Sequence, residues 1–180
     1  ILRETLHNIY FVNKLPKEDF EVIVSNDGDD DLLILYDEFL FDNLKIVKNT
    51  HKPGAAGNRN NAADFAQYDL LHFLDDDILV TDNFLERVIY WHNKLENVSL
   101  GCKLLYSKKV KEIANKISFG RYMIKQEHNN EISNFTSIND DGLYEVDSLA
   151  GFSISMKRET FDKIGKFDEN FDYAGCEDAE

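Results

Sequence analysis

Leu70-Leu-His-Phe-Leu-Asp-Asp-Asp77 is the stretch on which the fold turns. Asp69–Leu74 reads as a strongly apolar strand, and it breaks off into three consecutive carboxylates. Side chains alternate along an extended chain, so Asp75 and Asp77 point to one side and Asp76 to the other. Adjacent carboxylates held by a buried strand repel one another unless a cation sits among them. A hard divalent ion, Mg²⁺ or Mn²⁺, takes one or two carboxylates and completes its shell with water and substrate phosphates. Such an ion neutralises the charge that appears on a departing diphosphate. The bland reading of the same residues is an acidic loop after a strand.

Working outward, strands and helices alternate. Ile1–Tyr10 carries Leu2, Leu6 and Ile9 at helical spacing. Phe20–Ser25 is apolar and β-branched and runs into the polar turn Asn26-Asp-Gly-Asp-Asp-Asp31. Leu32–Phe41 reads as a helix and Leu44–Lys48 as a strand. The small-residue loop Pro53-Gly-Ala-Ala-Gly57 leads into a helix over Asn58–Gln67, with Ala62, Phe65 and Ala66 as its expected buried stripe. Phe84, Val88, Trp91 and Leu95 step by helical intervals, with Thr81 or Asp82 as the cap. Val98–Tyr106 and Val146–Met156 are expected strands, and Arg158–Ile164 a short helix. Between Ser107 and Glu145 the pattern blurs into a lysine-rich helix fragment and a polar excursion. Alternation of this kind implies βαβ units and a largely parallel sheet, whose ligands bind beyond the carboxyl ends of the strands. Asn26–Asp31 and Asp75–Asp77 therefore belong on one rim.

The chain has 180 residues, 43% of them hydrophobic and 12% aromatic, enough for one domain with a sizeable core. Twenty Lys and Arg against 34 Asp and Glu give a net charge of −14. So acidic a chain is a poor candidate for general nucleic-acid or anionic-membrane binding, which needs clustered cations. Cys102 and Cys176 form no CxxC pair and read as two reduced thiols of a cytosolic protein. The longest apolar runs, such as Leu32–Tyr36, fall far short of the roughly 20 residues of a membrane helix, so no membrane segment is expected. A start at Ile1, with neither Met nor a signal pattern, reads as an excised piece of a larger protein. His72 inside its strand is expected to be a core histidine, and Trp91 a core residue.

Two other motifs compete for the acidic residues. A hydrophobic strand followed by Asp75-x-Asp77 resembles the nucleophile motif of haloacid-dehalogenase-type phosphatases, but that motif belongs on a first strand and here at least two precede it. An EF-hand fails on spacing, because the residue five before Gly28 is Ile23.

Five blocks together resemble family 2 glycosyltransferases of the GT-A fold. Val22-Ile-Val-Ser-Asn-Asp-Gly-Asp29 is similar to their "IVVDDGS" turn, Gly54-Ala-Ala-Gly-Asn-Arg-Asn60 to "G-x-x-x-ARN-x-G", and Phe73-Leu-Asp-Asp-Asp77 to "FLDxD". Gly151-Phe-Ser-Ile-Ser-Met-Lys-Arg158 resembles "GGNxSxRR", and Gly165-Lys-Phe-Asp-Glu169 with Glu177-Asp178 resembles "GGFDE" and "ED". The blocks stand in the family's order and cover nearly the whole chain.

The resemblance implies an α/β fold of the GT-A (nucleotide-diphospho-sugar transferase-like) type, a mostly parallel sheet flanked by helices that lacks its first strand. One domain over 1–180 is expected, truncated at both ends, with a nucleotide-binding part over about 1–80 and an acceptor-side part over about 81–180. The implied activity is inverting, metal-dependent transfer of a sugar from a nucleotide-sugar donor, UDP-sugar by default, to a hydroxyl of a saccharide or glycoconjugate acceptor in polysaccharide or glycoconjugate synthesis. Asp27, Arg59, Asp75 and Asp76 are then the nucleotide-binding candidates, and Asp77 and Asp75 the ligands of Mn²⁺ or Mg²⁺. Asp178 is the candidate general base, with Glu177 orienting the acceptor or exchanging roles with it. No nucleic-acid partner is implied. The location is cytoplasmic, with membrane association possible through parts outside this chain. The chain departs from the pattern at Asn26, Asp29 and Ser153, where the family has Asp, Ser and often Asn. The rival readings are a non-catalytic nucleotide-sugar-binding module and, third, the phosphatase.

Overall fold

The computed structural model of the chain describes residues 1–29, 31–129, 136–137 and 142–171. Residues 1–101 and 149–180 make one compact unit and residues 102–148 a second.

The first unit opens with α1 (Leu2–Phe11), whose buried residues Leu6 and Tyr10 are one turn apart and face the same way. β1 (Val22–Asn26) and β2 (Leu44–Lys48) pair in parallel, from Val22 opposite Leu44 to Asn26 opposite Lys48. The connection between them holds α2 (Ile34–Glu38), shorter than the Leu32–Phe41 helix the sequence suggests. Phe39 leaves helical geometry at its end and fills a core with Leu6, Tyr10, Leu35 and Leu44. Burying a side chain of this size contributes about 2–3 kcal/mol, which one extra helical turn could not offset.

β3 (Leu70–Leu74) belongs to a separate three-stranded sheet in the order β3-β7-β4, with β4 at Ser99–Gly101 and β7 at Ser153–Lys157. The parallel direction expected from strand–helix alternation holds for β1 and β2. β7 is antiparallel to both β3 and β4. It follows the long excursion and not a βαβ crossover, so no handed connection obliges it to run parallel. Alternation sorts its residues. Ile154 and Met156 enter a core with Ala63, Leu71, Phe73 and Phe161, while the buried hydroxyls of Ser153 and Ser155 lie at 3.1 Å from His72 Nε2 and 2.9 Å from His92 Nε2. Burial lowers the His72 pKa to about 4, so this histidine stays neutral within the sheet; it is a core histidine, but only half satisfied, because its buried Nδ1 has no hydrogen-bond partner among the described residues.

α3 (Ala55–Phe65) corrects the expected stripe: Phe65 is exposed, and the buried residues are Ala56, Gly57, Asn60, Asn61 and Ala63. Asn61 donates to Ser25 Oγ and Lys48 O, and Asn58 to Ser25 O, so amides reaching β1 and β2 hold the helix alongside the contact of Ala63 with the core. α4 (Phe84–Lys94) forms as its spacing requires, but Asn83 is the N-cap in place of Thr81 or Asp82. Trp91 is only partly buried, and His92 takes the buried place. The strand expected over Val98–Tyr106 contracts to β4, and that over Val146–Met156 to β7. α7 (Arg158–Ile164) has the expected bounds and ends on Gly165, whose φ of 96° suits glycine.

The second unit contains α5 (Lys108–Ala114), α6 (Ser118–Asn129) and a short antiparallel pair, β5 (Thr136–Ser137) with β6 (Tyr144–Glu145).

Candidate active site

The N-terminal end of α3 is where the separate sequence blocks meet. Gly54, with φ of 125°, turns the chain into the helix, and its N–H donates to Asp27 Oδ2 at 2.7 Å. The other carboxylate oxygen of Asp27 accepts from Asn49 Nδ2 at 2.7 Å. Asp27 thus closes the loop between β2 and α3, and the anion held at the helix start is the chain's own. Gly57 lies so close to the loop that a Cβ there would come within 2.0 Å of Lys52 O. The two glycines of the loop therefore serve different ends, one a backbone angle and the other close approach.

One helical turn on, Arg59 points to the end of β3. Its Nη2 lies 3.0 Å from Asp75 Oδ1 and 3.2 Å from Gly151 O, and its guanidinium lies 5.4 Å from the centre of the Phe167 ring. The guanidinium is largely enclosed, 14% exposed, whereas the Asp75 carboxylate is 41% exposed. Asp75 N in turn donates to Phe152 O at 3.0 Å. Four of the five blocks quoted above are therefore joined through one arginine and one aspartate.

Although β1 and β3 pair in separate sheets, Gly54 and Arg59 at the start of α3 link Asp27, at the carboxyl end of β1, to Asp75, at the carboxyl end of β3. Asp76 and Asp77 continue from it with exposed side chains. The Asp76 carbonyl accepts from Thr5 Oγ1 at 2.6 Å, which anchors the acidic turn to α1. Among the described residues no three His, Cys, Asp or Glu side chains converge as a cation cage. What Asp75 and Asp77 offer is at most two hard oxygen ligands, a donor set that suits Mg²⁺ or Mn²⁺ completed by phosphate and water. Glu177, Asp178 and Cys176 lie outside the described residues.

A second polar cluster lies around His51, where no motif pointed. His51 Nδ1 lies 2.7 Å from Glu169 Oε1, and its Nε2 lies 2.9 Å from Asp64 Oδ2. Asn60 Nδ2 donates to the same Glu169 oxygen at 2.7 Å, Lys52 N to Oε2 at 3.3 Å, and Lys166 Nζ to Asp64 Oδ1 at 2.9 Å. A neutral imidazole has one N–H and can serve only one carboxylate; the imidazolium serves both. The carboxylates of Glu169 and Asp64 accordingly raise the His51 pKa. Asn60, then His51, holds Glu169 below its ordinary value; Lys166, then His51, does the same for Asp64. This cluster fastens the loop between β2 and α3 to α3 itself and to the turn after α7. Asn60, inside the block that contains Arg59, and Lys166 and Glu169, inside the Gly165–Glu169 block, were within reach of the sequence motifs; His51 and Asp64 were not.

Arg158 is elsewhere. Leu70 is opposite Lys157 and Leu74 opposite Ser153, so Arg158 and Asp75 flank opposite ends of β3, about 20 Å apart at strand rise. Its guanidinium bonds Ala63 O, Ala66 O and Tyr68 O at 2.9–3.4 Å, closing the C-terminal end of α3.

The sequence matches the family described as glycosyl transferase family 2 over residues 1–165. No curated protein matches it. Among solved structures it resembles the mannosyltransferase PcManGT from Pyrobaculum calidifontis in complex with GDP-Man and Mn²⁺, with a TM-score of 0.66 and 18% identity over 99% of this chain and 46% of that one. S. aureus TarS 1–349 gives a TM-score of 0.64 at 18% identity, over 99% of this chain and 49% of that one. GalNAc-T7 with UDP, GalNAc and Mn²⁺ gives 0.68 at 15%, over 99% and 36%. The chain spans about half the length of these structures or less, and at such identities the likeness is one of fold, the GT-A fold expected from the motifs. With the family matched over most of its length, this chain belongs to glycosyltransferase family 2.

Proposed function

We propose that the chain is the donor-binding part of an inverting glycosyltransferase that uses Mn²⁺ or Mg²⁺ and a nucleotide-sugar donor, UDP-sugar by default. The observation that supports this reading most directly is the bridge made by the start of α3. Gly54 ties it to Asp27 and Arg59 ties it to Asp75, so the turn after β1 and the turn after β3 are joined through one helix start. In this reading Asp27 meets base or ribose, and Arg59 and Asp75 meet ribose or diphosphate, with Asp76 beside them. Asp77, with Asp75, holds the metal, which when bound neutralises the departing diphosphate.

In the transfer, the acceptor hydroxyl oxygen forms a bond to the anomeric carbon from the face opposite the diphosphate. The bond from that carbon to the diphosphate oxygen breaks, and the hydroxyl proton passes to Asp178, with Glu177 orienting the acceptor. The nucleotide-side work falls to about 1–80 and the acceptor side to about 81–180. Acceptors are saccharides or glycoconjugates, and the domain works at the cytoplasmic side on polysaccharide or glycoconjugate synthesis. Membership of a transferase family displaces the phosphatase reading.

The test is calorimetric titration of the chain with UDP, with and without Mn²⁺, against GDP and CMP. Binding of UDP that requires Mn²⁺ and is lost in Asp77→Ala is expected. A folded protein that binds none of the three nucleotides overturns the reading.

A further inference from the structure

The acidity of the whole chain conceals one basic segment. Between Lys108 and Lys125 stand six cations (Lys108, Lys109, Lys111, Lys116, Arg121 and Lys125) and one acid, Glu112. Their local sum is 6 − 1 = +5, so the remainder of a chain of net −14 carries −19. This segment forms α5 and most of α6, whose last residues add one acid, Glu127, so the helical pair sums to 6 − 2 = +4; both helices leave large apolar side chains in the open. Val110 and Ile113 on α5 are 46% and 57% exposed, and Ile117, at the corner before α6, is 59% exposed. Phe119, Tyr122 and Met123 are 68%, 57% and 37% exposed.

The corner between the helices is built, not slack. Ser107 caps α5 by accepting from Val110 N at 3.2 Å. Gly120 is buried, and a Cβ there would come within 2.2 Å of Ala114 O. Arg121 bonds Asn115 O at 2.9 Å and Ser118 Oγ at 3.0 Å across the corner. Exposed apolar side chains interleaved with cations on two fixed helices are therefore a stable feature of this unit.

We propose that this helical pair docks the protein on an anionic lipid bilayer. The charge selects the partner's sign, and the apolar residues select its kind. A soluble polyanion would satisfy the lysines and leave Ile117 and Phe119 in water. A bilayer takes the apolar side chains into the boundary between headgroups and acyl chains while lipid phosphates meet the lysines. No helix among the described residues is long and apolar enough to cross a membrane, so the pair lies in the plane of the interface. The inference does not depend on which nucleotide the rim binds.

The test is co-sedimentation of the chain with vesicles of pure phosphatidylcholine and of phosphatidylcholine mixed with phosphatidylglycerol, at low and physiological salt. Partition into the mixed vesicles is expected to exceed that into neutral ones by more than about tenfold and to weaken with salt, since each basic side chain near an anionic surface is worth roughly fivefold. Lys108→Gln with Lys109→Gln, and separately Ile117→Ser with Phe119→Ser, should each lower it about tenfold or more. All four positions are exposed, so folding, checked by circular dichroism, is retained. Three outcomes overturn the proposal. One is equal partition, or none, with both vesicle types. Another is a loss on removing lysines but not on removing Ile117 and Phe119. The last is a concentration-dependent dimer that the serine substitutions abolish.

Discussion

Arg59 Nη2 stands 3.0 Å from Asp75 Oδ1, and the same nitrogen lies 3.2 Å from the carbonyl of Gly151. The pair joins the start of α3 to the end of β3 and to the segment that enters β7. Arg59→Ala leaves that carbonyl and carboxylate without their cation. Because Asp75 is partly in water, the cost is about 1–2 kcal/mol and not the larger penalty of a fully buried orphan charge. Urea denaturation should read that loss. Nucleotide affinity, measured by calorimetry, should fall about tenfold or more, and Arg59→Lys should recover stability better than affinity, because a single ammonium cannot reproduce the planar fork.

Asp27→Asn separates loop closure from ligand contact. The amide keeps one acceptor for Asn49 Nδ2 or Gly54 N–H, but not two equivalent ones, so the stability loss is about 0.5–1.5 kcal/mol. A nucleotide affinity that drops no further than this loss predicts would assign Asp27 to the loop alone.

His51 makes stability depend on pH in a stated direction. Its folded pKa is raised by Glu169 and Asp64, so its contribution is complete below its ordinary value of about 6.5 and disappears as pH rises through the folded value. Glu169 and Asp64 are lowered, so theirs is present above ordinary carboxylate values and is lost as pH falls through the folded ones. The cluster is therefore strongest between about pH 4.5 and 6.5. Thermal unfolding followed across pH should show the decline above this window, and His51→Gln should flatten it.

Gly57→Ala tests the approach of α3 to its loop. The added Cβ would meet the backbone oxygen of Lys52 at 2.0 Å, and a backbone group cannot step aside as a side chain can. A loss of about 1–3 kcal/mol is expected by chemical denaturation. A neutral result would mean that the loop shifts freely.

How much of this was readable in the sequence depends on what does the packing. α4 and α7 follow from apolar spacing and stop signals, and Leu44–Lys48 from its run of β-formers. α3 was misjudged in its buried face because Asn60 and Asn61, not apolar residues, go inside, and hydrophobic periodicity carries no information about amides that bind strand backbone. β4 was overestimated because its length is set by pairing with β7, which lies far along the chain. Asp27, Arg59 and Asp75 were legible because each belongs to a local motif at a strand or helix end. His51 and Glu169 are 118 residues apart, and no local pattern relates them.

Gly101 and Leu149 are neighbours: a Cβ on Gly101 would sit 2.8 Å from Leu149 Cδ2. The chain leaves the sheet at one point and returns to it beside the same point. Cys102–Ser148 is thus spliced in like an insert between two adjoining posts, and β4 and β7 remain zipped whatever spans them. Loop-closure cost grows only slowly with length, so this segment can be lengthened, shortened or exchanged with little penalty to the sheet it interrupts. Evolution, or an engineer, can replace the whole insert without rebuilding the strands on either side of it.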